Sequence, residues 1–426
     1  MQLICKKSRL HGSVDVPGSK SHTIRAVAIA SLAEGESRID APLASADTLA
    51  AVEAYRSLGA EIEMQPTCWR VRGTGGRPAA PDNVIDVRNS GTTLRVSVGS
   101  AALLAEGAAV FTGDDQIRRR PIGPLAQSLN ELGASVTSTR GNGCAPLVVA
   151  GRLRGGHTSI EAVTSQYLSS LLMCTPLADG GSEIEVPLLN EHPYVHMTLD
   201  WLTRGGIELQ REELRRFRVP GGQQYRPIDV RVPADFSSAT FFFGAGVLGD
   251  NDVVLRGLDM SDAQGDKAVV EYLRRMGARI DVGPAGIRVQ PGKLTGCDLD
   301  LNATPDALPT MAVVACFAQG RTSLVNVAQA RFKETDRIAV MCAELTRMGA
   351  RITEQPDGLI IEQSELHAAE VDGHHDHRVV MALAVAGTVI AGRTRVATAE
   401  AVEVTFPTFV DCMTALGADL HLEGDD

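Results

Sequence analysis

The sequence is poor in aromatic residues, which make up only 4% of its 426 positions. Proteins that bind single-stranded nucleic acids stack bases on aromatic side chains, so this composition argues against that class. A net charge of −11 and a pI near 5.5 also disfavour a polyanionic partner. We therefore expect no nucleic-acid partner, and a core filled by aliphatic side chains.

The sequence also lacks paired cysteines and long hydrophobic runs. Its eight cysteines are scattered and form no Cys-x-x-Cys pair, which predicts reduced thiols in the cytoplasm. The longest apolar runs, 379–391 and 236–248, fall short of the ~20 residues that span a bilayer, and the N-terminus has no signal-peptide core. We expect a cytoplasmic monomer without a membrane partner.

An internal repeat predicts the architecture. Six helix-like runs end at Gly59, Gly133, Gly205, Gly277, Gly349 and Gly417, so that the spacing stays between 68 and 74 residues. Glycine suits a helix C-terminus because it adopts a left-handed conformation without a steric penalty. Alternating apolar and polar residues follow each glycine and predict a strand. The chain is thus expected to contain six similar units, three in each of two domains.

Each unit is predicted to contain a second, more apolar helix. These helices are expected at residues 21–33, 92–105, 166–178, 237–248, 307–318 and 377–390. Helices that are apolar on all sides are buried, so we place them at the centre of each domain. The helices that end at the glycines carry polar faces and are expected at the periphery.

The domain boundaries follow from the number of units on each side. A boundary near residue 234 leaves three units before it and three after it. We expect one domain at 19–234 and a second at 1–18 plus 235–426, in which an N-terminal strand over 3–16 completes the last unit. The chain would then cross between the domains twice, as suits a hinge between rigid bodies.

Cationic and hydroxyl side chains gather at the predicted helix starts of the first half. The set comprises Lys20, Ser21, Arg25, Gly91, Arg95, Arg120, Thr164, Ser165 and Gln166. A helix N-terminus favours anions, so a lysine placed there is unfavourable unless an anion is bound. Of three consecutive arginines we select Arg120, because it adjoins a helix that we predict to begin with Pro121 at its first position. Ser165 is equally suited to a simple capping role.

The second half repeats this pattern with carboxylates added. Its helix starts carry Asp306, Lys333, Glu334, Arg337, His377 and Arg378. Carboxylates among cations are candidates for acid–base catalysis, and the set suits a substrate with several negative charges, such as phosphate plus carboxylate. The His374–His375 pair does not predict a metal site, because adjacent histidines rarely point at one ion.

Seven segments along the chain carry a family resemblance. They read PGSKSHTIRA, NSGTTLR, TGDDQIRRRPIGPL, TSQYLSSLLM, FKETDRI, DHRVVMALAVAG and TFPTF. On these segments the chain resembles, end to end, the 5-enolpyruvylshikimate-3-phosphate synthases of the enolpyruvyl transferase family. The resemblance implies a two-domain inside-out α/β barrel of six βαβαββ repeats, three per domain, with the active site between the domains.

The resemblance also implies an activity and its site residues. The enolpyruvyl group of phosphoenolpyruvate would move to the 5-hydroxyl of shikimate 3-phosphate by addition and elimination, without cofactor or metal, in an enzyme that is a target of glyphosate. Asp306, Glu334 and Lys20 would transfer protons. Phosphoenolpyruvate would contact Lys20, Gly91, Arg120, Gln166, Arg337 and Arg378. Shikimate 3-phosphate would contact Lys20, Ser21, Arg25, Thr164, Ser165, Gln166, Tyr194, Asp306, Gln329 and Lys333. His377 matches a further site histidine beside Arg378.

Three positions depart from the family pattern. Glu191 stands where a serine often contacts the acceptor phosphate, Gln329 where asparagine is common, and Val404 where some members have a lysine. The nearest alternative acceptor is UDP-N-acetylglucosamine, but the enzymes that use it carry a cysteine in the loop that is 113–118 here. Another hydroxylated acceptor, or a non-catalytic anion-binding role, also remains open at the level of the sequence.

Overall fold

A computed structural model describes residues 1–424, which divide into two compact units. The contiguous unit is the single segment Gly18–Pro233. The interrupted unit joins Met1–Pro17 to the chain from Ala234 onward. Each unit is built from three repeats of a helix-and-strand motif.

The elements alternate regularly along the chain. The N-terminal strands are β1 (Gln2–Lys6) and β2 (His11–Asp15). The contiguous unit contains α1 (Lys20–Leu32), β3 (Glu36–Asp40), α2 (Ala46–Ser57), β4 (Glu61–Met64), β5 (Cys68–Arg72), β6 (Ile85–Asp86), α3 (Gly91–Ala101), β7 (Leu103–Thr112), α4 (Gly123–Glu131), β8 (Ser135–Ser138), β9 (Leu147–Arg152), β10 (Gly156–Ala162), α5 (Ser165–Cys174), β11 (Ser182–Leu189), α6 (His192–Arg204), β12 (Gln210–Glu212), β13 (Arg216–Val219) and β14 (Asp229–Arg231).

The rest of the interrupted unit follows the same order. It contains α7 (Phe236–Gly246), β15 (Asp252–Arg256), α8 (Ala268–Arg275), β16 (Arg279–Gly283), β17 (Gly286–Gln290), β18 (Asp298–Asp300), α9 (Leu308–Phe317), β19 (Arg321–Val325), α10 (Arg337–Arg347), β20 (Arg351–Gln355), β21 (Gly358–Glu362), β22 (Glu370–Asp372), α11 (His377–Gly387), β23 (Arg393–Ala397), α12 (Phe409–Ala415) and β24 (Asp419–Glu423). Short 3₁₀ turns precede several of these helices, among them Pro305–Ala307 before α9 and Ala328–Phe332 before α10.

The strands of residues 1–424 form six four-stranded sheets with one repeated topology. In the sheet ordered β18-β19-β21-β20, β18 runs parallel to β19, and the β20–β21 hairpin adds antiparallel to β19. The other sheets have the same arrangement. Six βαβαββ repeats, three per unit, are therefore confirmed.

Strands that are distant in sequence complete the sheets of both units. The N-terminal segment predicted as one strand over 3–16 is in fact two strands, so that prediction is wrong. β1 lies between β23 and β24 in the last sheet, whereas β2 pairs in parallel with β15. The break occurs at Ser8, whose N–H donates to the carbonyl of Thr388 and whose hydroxyl donates to the carbonyl of Lys6. In the contiguous unit, β14 pairs with β3 in the corresponding place.

The apolar helices are buried and the sheets lie outside them, as predicted for an inside-out fold. Every residue of α3, α7 and α11 is buried, and α7, α9 and α11 pack against one another. Helices α8 and α10 bury only one face. The helix predicted over 92–105 ends earlier, at Ala101, because strand β7 begins at Leu103.

In each of the six repeats a glycine with a left-handed backbone follows the helix, as the repeat predicts. Five of these glycines are the predicted residues, with φ between 94° and 103°. In the third repeat the left-handed residue is Gly206 rather than Gly205, because helix α6 extends to Arg204 with Gly205 as its cap. The turn is therefore conserved in geometry across the six repeats, with its glycine shifted by one position in the third.

Replacing one of these glycines by alanine is expected to destabilise the fold. Gly277 has φ of 102°, and a Cβ there would lie 2.5 Å from the carbonyl oxygen of Lys293. We expect Gly277→Ala to lower the free energy of unfolding by about 2–4 kcal/mol, measured by urea denaturation. Gly283→Ala is the control, because a Cβ at Gly283 meets no atom within 4 Å. Equal losses in the two variants would contradict the expectation.

Candidate functional site

Lys20 is the first residue of α1 and has a buried counter-charge. Its Nζ lies 3.0 Å from Oδ2 of Asp47, and the two side chains are 15% and 4% exposed. The sequence interpretation explained Lys20 by an anionic ligand and missed Asp47, which reads as an ordinary acidic residue in the first turn of α2. The pair holds the ammonium group in place at the start of the helix.

Arg25 lies one turn further along α1 and is almost completely buried. Its Nε donates to the hydroxyl of Thr198 at 2.9 Å, and its other nitrogens donate to the carbonyls of Ser21 and Tyr194. Burial lowers the pKa of Arg25 to about 10, so the guanidinium stays charged at neutral pH. Ser21, Arg25 and Tyr194 are thus brought together, as the sequence predicted for the first two from their spacing.

Gly91 opens α3 between two buried guanidinium groups. A Cβ on Gly91 would lie 2.5 Å from Nη1 of Arg95 and 2.7 Å from Nη1 of Arg120. Arg95 is 4% exposed and Arg120 is 7% exposed. Burial lowers the pKa of Arg95, although Tyr167 opposes that effect. Only glycine at position 91 leaves the two guanidinium groups where they are.

Of the three consecutive arginines in the turn before α4, only Arg120 is buried. Arg120 is buried, whereas Arg119 is exposed, as expected for the residue selected from the sequence. The predicted helix start at Pro121 is wrong, because α4 begins at Gly123. The carbonyl of Pro121 instead accepts hydrogen bonds from the hydroxyl of Tyr167 and from Arg95, which fixes the turn.

The start of α5 holds the carboxylate of Glu191. Oε2 of Glu191 accepts hydrogen bonds from the hydroxyl of Thr164 at 3.0 Å, the hydroxyl of Ser165 at 3.0 Å and the backbone N–H of Ser165 at 3.2 Å. Glu191 is 2% exposed and has a left-handed backbone with φ of 57°. The buried amide oxygen of Gln166 has no hydrogen-bond partner among the described residues. Two of the predicted phosphate-binding residues, Thr164 and Ser165, thus contact an internal anion.

Arg337 is the centre of the candidate site in the interrupted unit. Its three nitrogens donate to Oδ1 of Asp306 at 2.7 Å, Oε2 of Glu334 at 2.5 Å and Oδ2 of Asp376 at 2.7 Å. The side chain is 1% exposed. Burial alone would lower the pKa of Arg337, but Asp376, Glu334 and Asp306 outweigh it and raise the pKa. Two candidate proton-transfer groups are therefore fixed by one guanidinium.

Asp306 contacts three cations. Besides Arg337, Nζ of Lys333 lies 3.8 Å from Oδ1, and Nη2 of Arg378 lies 3.3 Å from Oδ2. Burial would raise the pKa of Asp306, but Arg378, Lys333 and Arg337 together hold it well below its usual range. Asp306 is therefore a carboxylate at neutral pH, and its side chain is 19% exposed.

Asp376 is the main residue that sequence reasoning missed in this unit. It is fully buried, holds Arg337 and caps α11 by accepting the backbone N–H of Arg378 at 2.9 Å. Its N-cap position was the only available signal, and a cap alone does not indicate a contact with a distant arginine. His377 is buried beside it, and the amide of Gln329 donates to the carbonyl of Asn302.

The chemistry of the two residue sets differs. The predicted site residues of the contiguous unit carry guanidinium, ammonium and hydroxyl groups, which can bind anions, whereas those of the interrupted unit include two carboxylates that can exchange protons. Within residues 1–424 no group of three or more His, Cys, Asp or Glu side chains is placed to hold a metal ion. The helices of the same range are all too short or too polar to cross a bilayer.

Comparisons with known proteins agree with the motifs. Residues 4–413 match the family model of EPSP synthase (3-phosphoshikimate 1-carboxyvinyltransferase). The chain is 53% identical to the 3-phosphoshikimate 1-carboxyvinyltransferase of Acetivibrio thermocellus, with 99% of each chain covered. It is 50% identical to that of Ruminiclostridium cellulolyticum, covering 99% of this chain and all of the relative.

Solved structures agree as well. The EPSP synthase of Acinetobacter baumannii, solved at 2.37 Å, superposes with a TM-score of 0.84 at 28% identity, with both chains fully covered. The match in sequence therefore extends to the fold. On these grounds the chain belongs to the EPSP synthase family.

Proposed function

We propose that the chain transfers the enolpyruvyl group of phosphoenolpyruvate to the 5-hydroxyl of shikimate 3-phosphate and releases phosphate. The observation that carries the proposal is the pair of carboxylates, Asp306 and Glu334, that one buried guanidinium, Arg337, fixes in a cationic setting. Binding an anion needs the cations alone. Acid–base chemistry at a hydroxyl and at a methylene carbon needs carboxylates as well. Membership of the EPSP synthase family supports the same reaction.

The reaction is an addition followed by an elimination. The acceptor oxygen forms a bond to C2 of phosphoenolpyruvate and loses its proton, while C3 gains a proton to become a methyl group. The bond from C2 to the phosphate oxygen then breaks, C3 loses a proton, and phosphate leaves. Positive charge develops at C2 in each step, and preorganised charged groups that are shielded from water stabilise it best.

The proposed roles are binding of the donor, binding of the acceptor and transfer of protons. In this proposal phosphoenolpyruvate binds Lys20, Gly91, Arg120, Gln166, Arg337 and Arg378. Shikimate 3-phosphate binds Lys20, Ser21, Arg25, Thr164, Ser165, Gln166, Tyr194, Asp306, Gln329 and Lys333. Asp306, Glu334 and Lys20 exchange the protons.

The low pKa of Asp306 connects donor binding to catalysis. A carboxylate held by three cations is a weak base. The anionic groups of phosphoenolpyruvate compete with Asp306 for Arg337 and Arg378. This competition weakens the attraction of the two cations for Asp306, which holds the pKa of Asp306 low. Asp306 therefore becomes a stronger base when the donor is bound, so that the acceptor hydroxyl is activated only in the complete complex.

The experiment that tests the proposal compares acceptors in one assay. Phosphate release from phosphoenolpyruvate is measured with shikimate 3-phosphate, shikimate, UDP-N-acetylglucosamine or no acceptor. We expect release only with shikimate 3-phosphate. Release with another alcohol alone would keep the reaction class and overturn the acceptor, and no release with any acceptor would overturn the enzyme assignment.

The alternative functions have less support. A UDP-N-acetylglucosamine enzyme would carry a cysteine in the loop 113–118, and this loop has none. A binding protein without catalysis would not need Asp306 and Glu334 on one arginine. The eight free cysteines support a reducing, cytoplasmic location, where we propose that the chain acts as a monomer.

Gly91→Ala is expected to weaken donor binding while leaving the fold intact. The added Cβ would meet only the flexible ends of Arg95 and Arg120, which can move aside but then no longer hold their positions. We expect the KM for phosphoenolpyruvate to rise about 10- to 100-fold. Gly123→Ala is the control, because a Cβ at Gly123 meets no atom within 4 Å. An unchanged KM in Gly91→Ala would remove Gly91 from the donor site.

A further inference from the structure

The carboxylate of Glu191 fills an anion site at the start of α5. We infer that Glu191 is an internal competitor of the acceptor phosphate, which must displace it from Thr164 and Ser165 in order to bind. This inference rests on the proposed function, because it names the same hydroxyl groups as ligands of shikimate 3-phosphate. It assigns Glu191 a role in setting affinity, since any anion that enters must offer more contacts than the carboxylate it replaces.

The contacts of Glu191 are those of a bound oxyanion. A single oxygen, Oε2, accepts two hydroxyl donors and one backbone N–H within 3.2 Å. All three donors belong to Thr164 and Ser165, the N-cap and first residue of α5. Hydroxyl and backbone donors at a helix start are the groups that bind phosphate oxygens in proteins. The carboxylate therefore occupies the donors that a phosphate would use.

Arg95, another candidate anion-binding residue of the same unit, also has an unsatisfied donor. Nε of Arg95 has no hydrogen-bond partner among the described residues, and water cannot easily replace one because Arg95 is only 4% exposed. Burial lowers the pKa of Arg95, whereas Tyr167 and, to a smaller extent, Glu191 act in the opposite direction. A buried donor without a partner is costly, and an incoming anion can satisfy it.

Competition follows from charge and from space. A carboxylate and a phosphate repel each other at short range, and one set of donors cannot serve both. Shikimate 3-phosphate can compensate for displacing Glu191, because its ring and carboxylate gain contacts elsewhere. Inorganic phosphate, which the reaction releases, has no such contacts. Displacing Glu191 weakens the binding of both ligands by a similar factor, so that shikimate 3-phosphate with its further contacts still binds, whereas free phosphate binds too weakly to occupy the site.

The test measures two ligands on the whole chain. Glu191→Gln removes the charge but keeps the length, and Glu191→Asn also shortens the side chain with a residue that tolerates the left-handed backbone. We expect binding of inorganic phosphate, measured by titration calorimetry, to tighten about tenfold in Glu191→Asn and by less in Glu191→Gln. The KM for shikimate 3-phosphate is expected to fall in the same order.

Glu213 provides the matched control. It is also a glutamate with a left-handed backbone, in the same unit, but its side chain is 85% exposed. Glu213→Gln and Glu213→Asn should leave both affinities unchanged. Unchanged or weaker binding of both ligands in Glu191 variants that keep the wild-type circular dichroism and affinity for phosphoenolpyruvate would overturn the inference. Absence of turnover by the wild type would instead overturn the proposed function, and phosphate binding would still decide the role of Glu191.

Discussion

Replacing Asp306 by alanine is expected to lower the turnover number by about 10²–10⁴-fold, the usual contribution of a positioned acid–base group. The physical reason is that Asp306 is the carboxylate that Arg337, Lys333 and Arg378 hold in one place. Without it the acceptor hydroxyl has no base at that position. Binding of phosphoenolpyruvate should not weaken, because the variant frees cations that attract the donor.

The measurement combines steady-state kinetics with direct titration of phosphoenolpyruvate. Asp298→Ala is the control, since Asp298 is an exposed aspartate in the same unit. Near-wild-type turnover in Asp306→Ala would remove this residue from the mechanism. A loss of donor affinity equal to the loss of turnover would show a binding role instead of a catalytic one.

The stability of Asp306→Ala is expected to fall only modestly, by about 1–2 kcal/mol, because Arg337 keeps Glu334 and Asp376. The sign of the pH dependence follows from the lowered pKa of Asp306. A carboxylate with a lowered pKa contributes stability above its unfolded value of 3.8 and loses it as the pH falls through the folded value. The difference in the free energy of unfolding between Asp306→Ala and the wild type should therefore be constant from pH 5 to pH 8.

Replacing Arg337 by methionine is expected to have the largest effect on stability. The change leaves Asp306, Glu334 and Asp376 without their shared guanidinium, and Asp376 is fully buried. Removing one partner from a buried ion pair costs about 3–5 kcal/mol. Binding of phosphoenolpyruvate should weaken by about 2–5 kcal/mol as well, because a buried, hydrogen-bonded charge of the donor site is lost.

Urea denaturation and titration of the donor check these two losses. Arg347→Met is the matched control, because Arg347 is at the other end of the same helix and is 60% exposed. Its partner Glu344 is buried but keeps its contacts with the ring of His374 and with the backbone N–H of Asp372, so this variant should lose no more than about 1 kcal/mol. Equal stability of the two variants would mean that the buried charges around Arg337 are solvated in another way.

Local patterns predicted the repeats but not every connection. Glycine spacing and apolar periodicity depend on neighbours in sequence, so they located the turns and the buried helices. The break at Ser8 depends on a hydrogen bond to Thr388, which no local pattern encodes. For the same reason the helix start at Pro121 was wrong, since the carbonyl of Pro121 is engaged by Tyr167, 46 residues away.

The candidate site shows the same division between local and distant information. Lys333, Arg337 and Arg378 were identifiable as residue types at helix starts, and the structure brings all three to Asp306. Their catalytic and binding roles stay predictions. Asp376 was missed because its partner, Arg337, is 39 positions away in the sequence. Residues that orient another side chain carry no motif of their own.

The pairing of strands that are distant in sequence imposes an order on folding during protein synthesis. The contiguous unit has all its strands once β14, Asp229–Arg231, leaves the ribosome. The interrupted unit needs β1 and β2, which precede the contiguous unit in the chain, and also β24, which follows it. Domains fold as units during translation, N-terminal ones first. Here β1 and β2 must wait for their partners while the contiguous unit folds, so these two strands are the ones most in need of protection from aggregation.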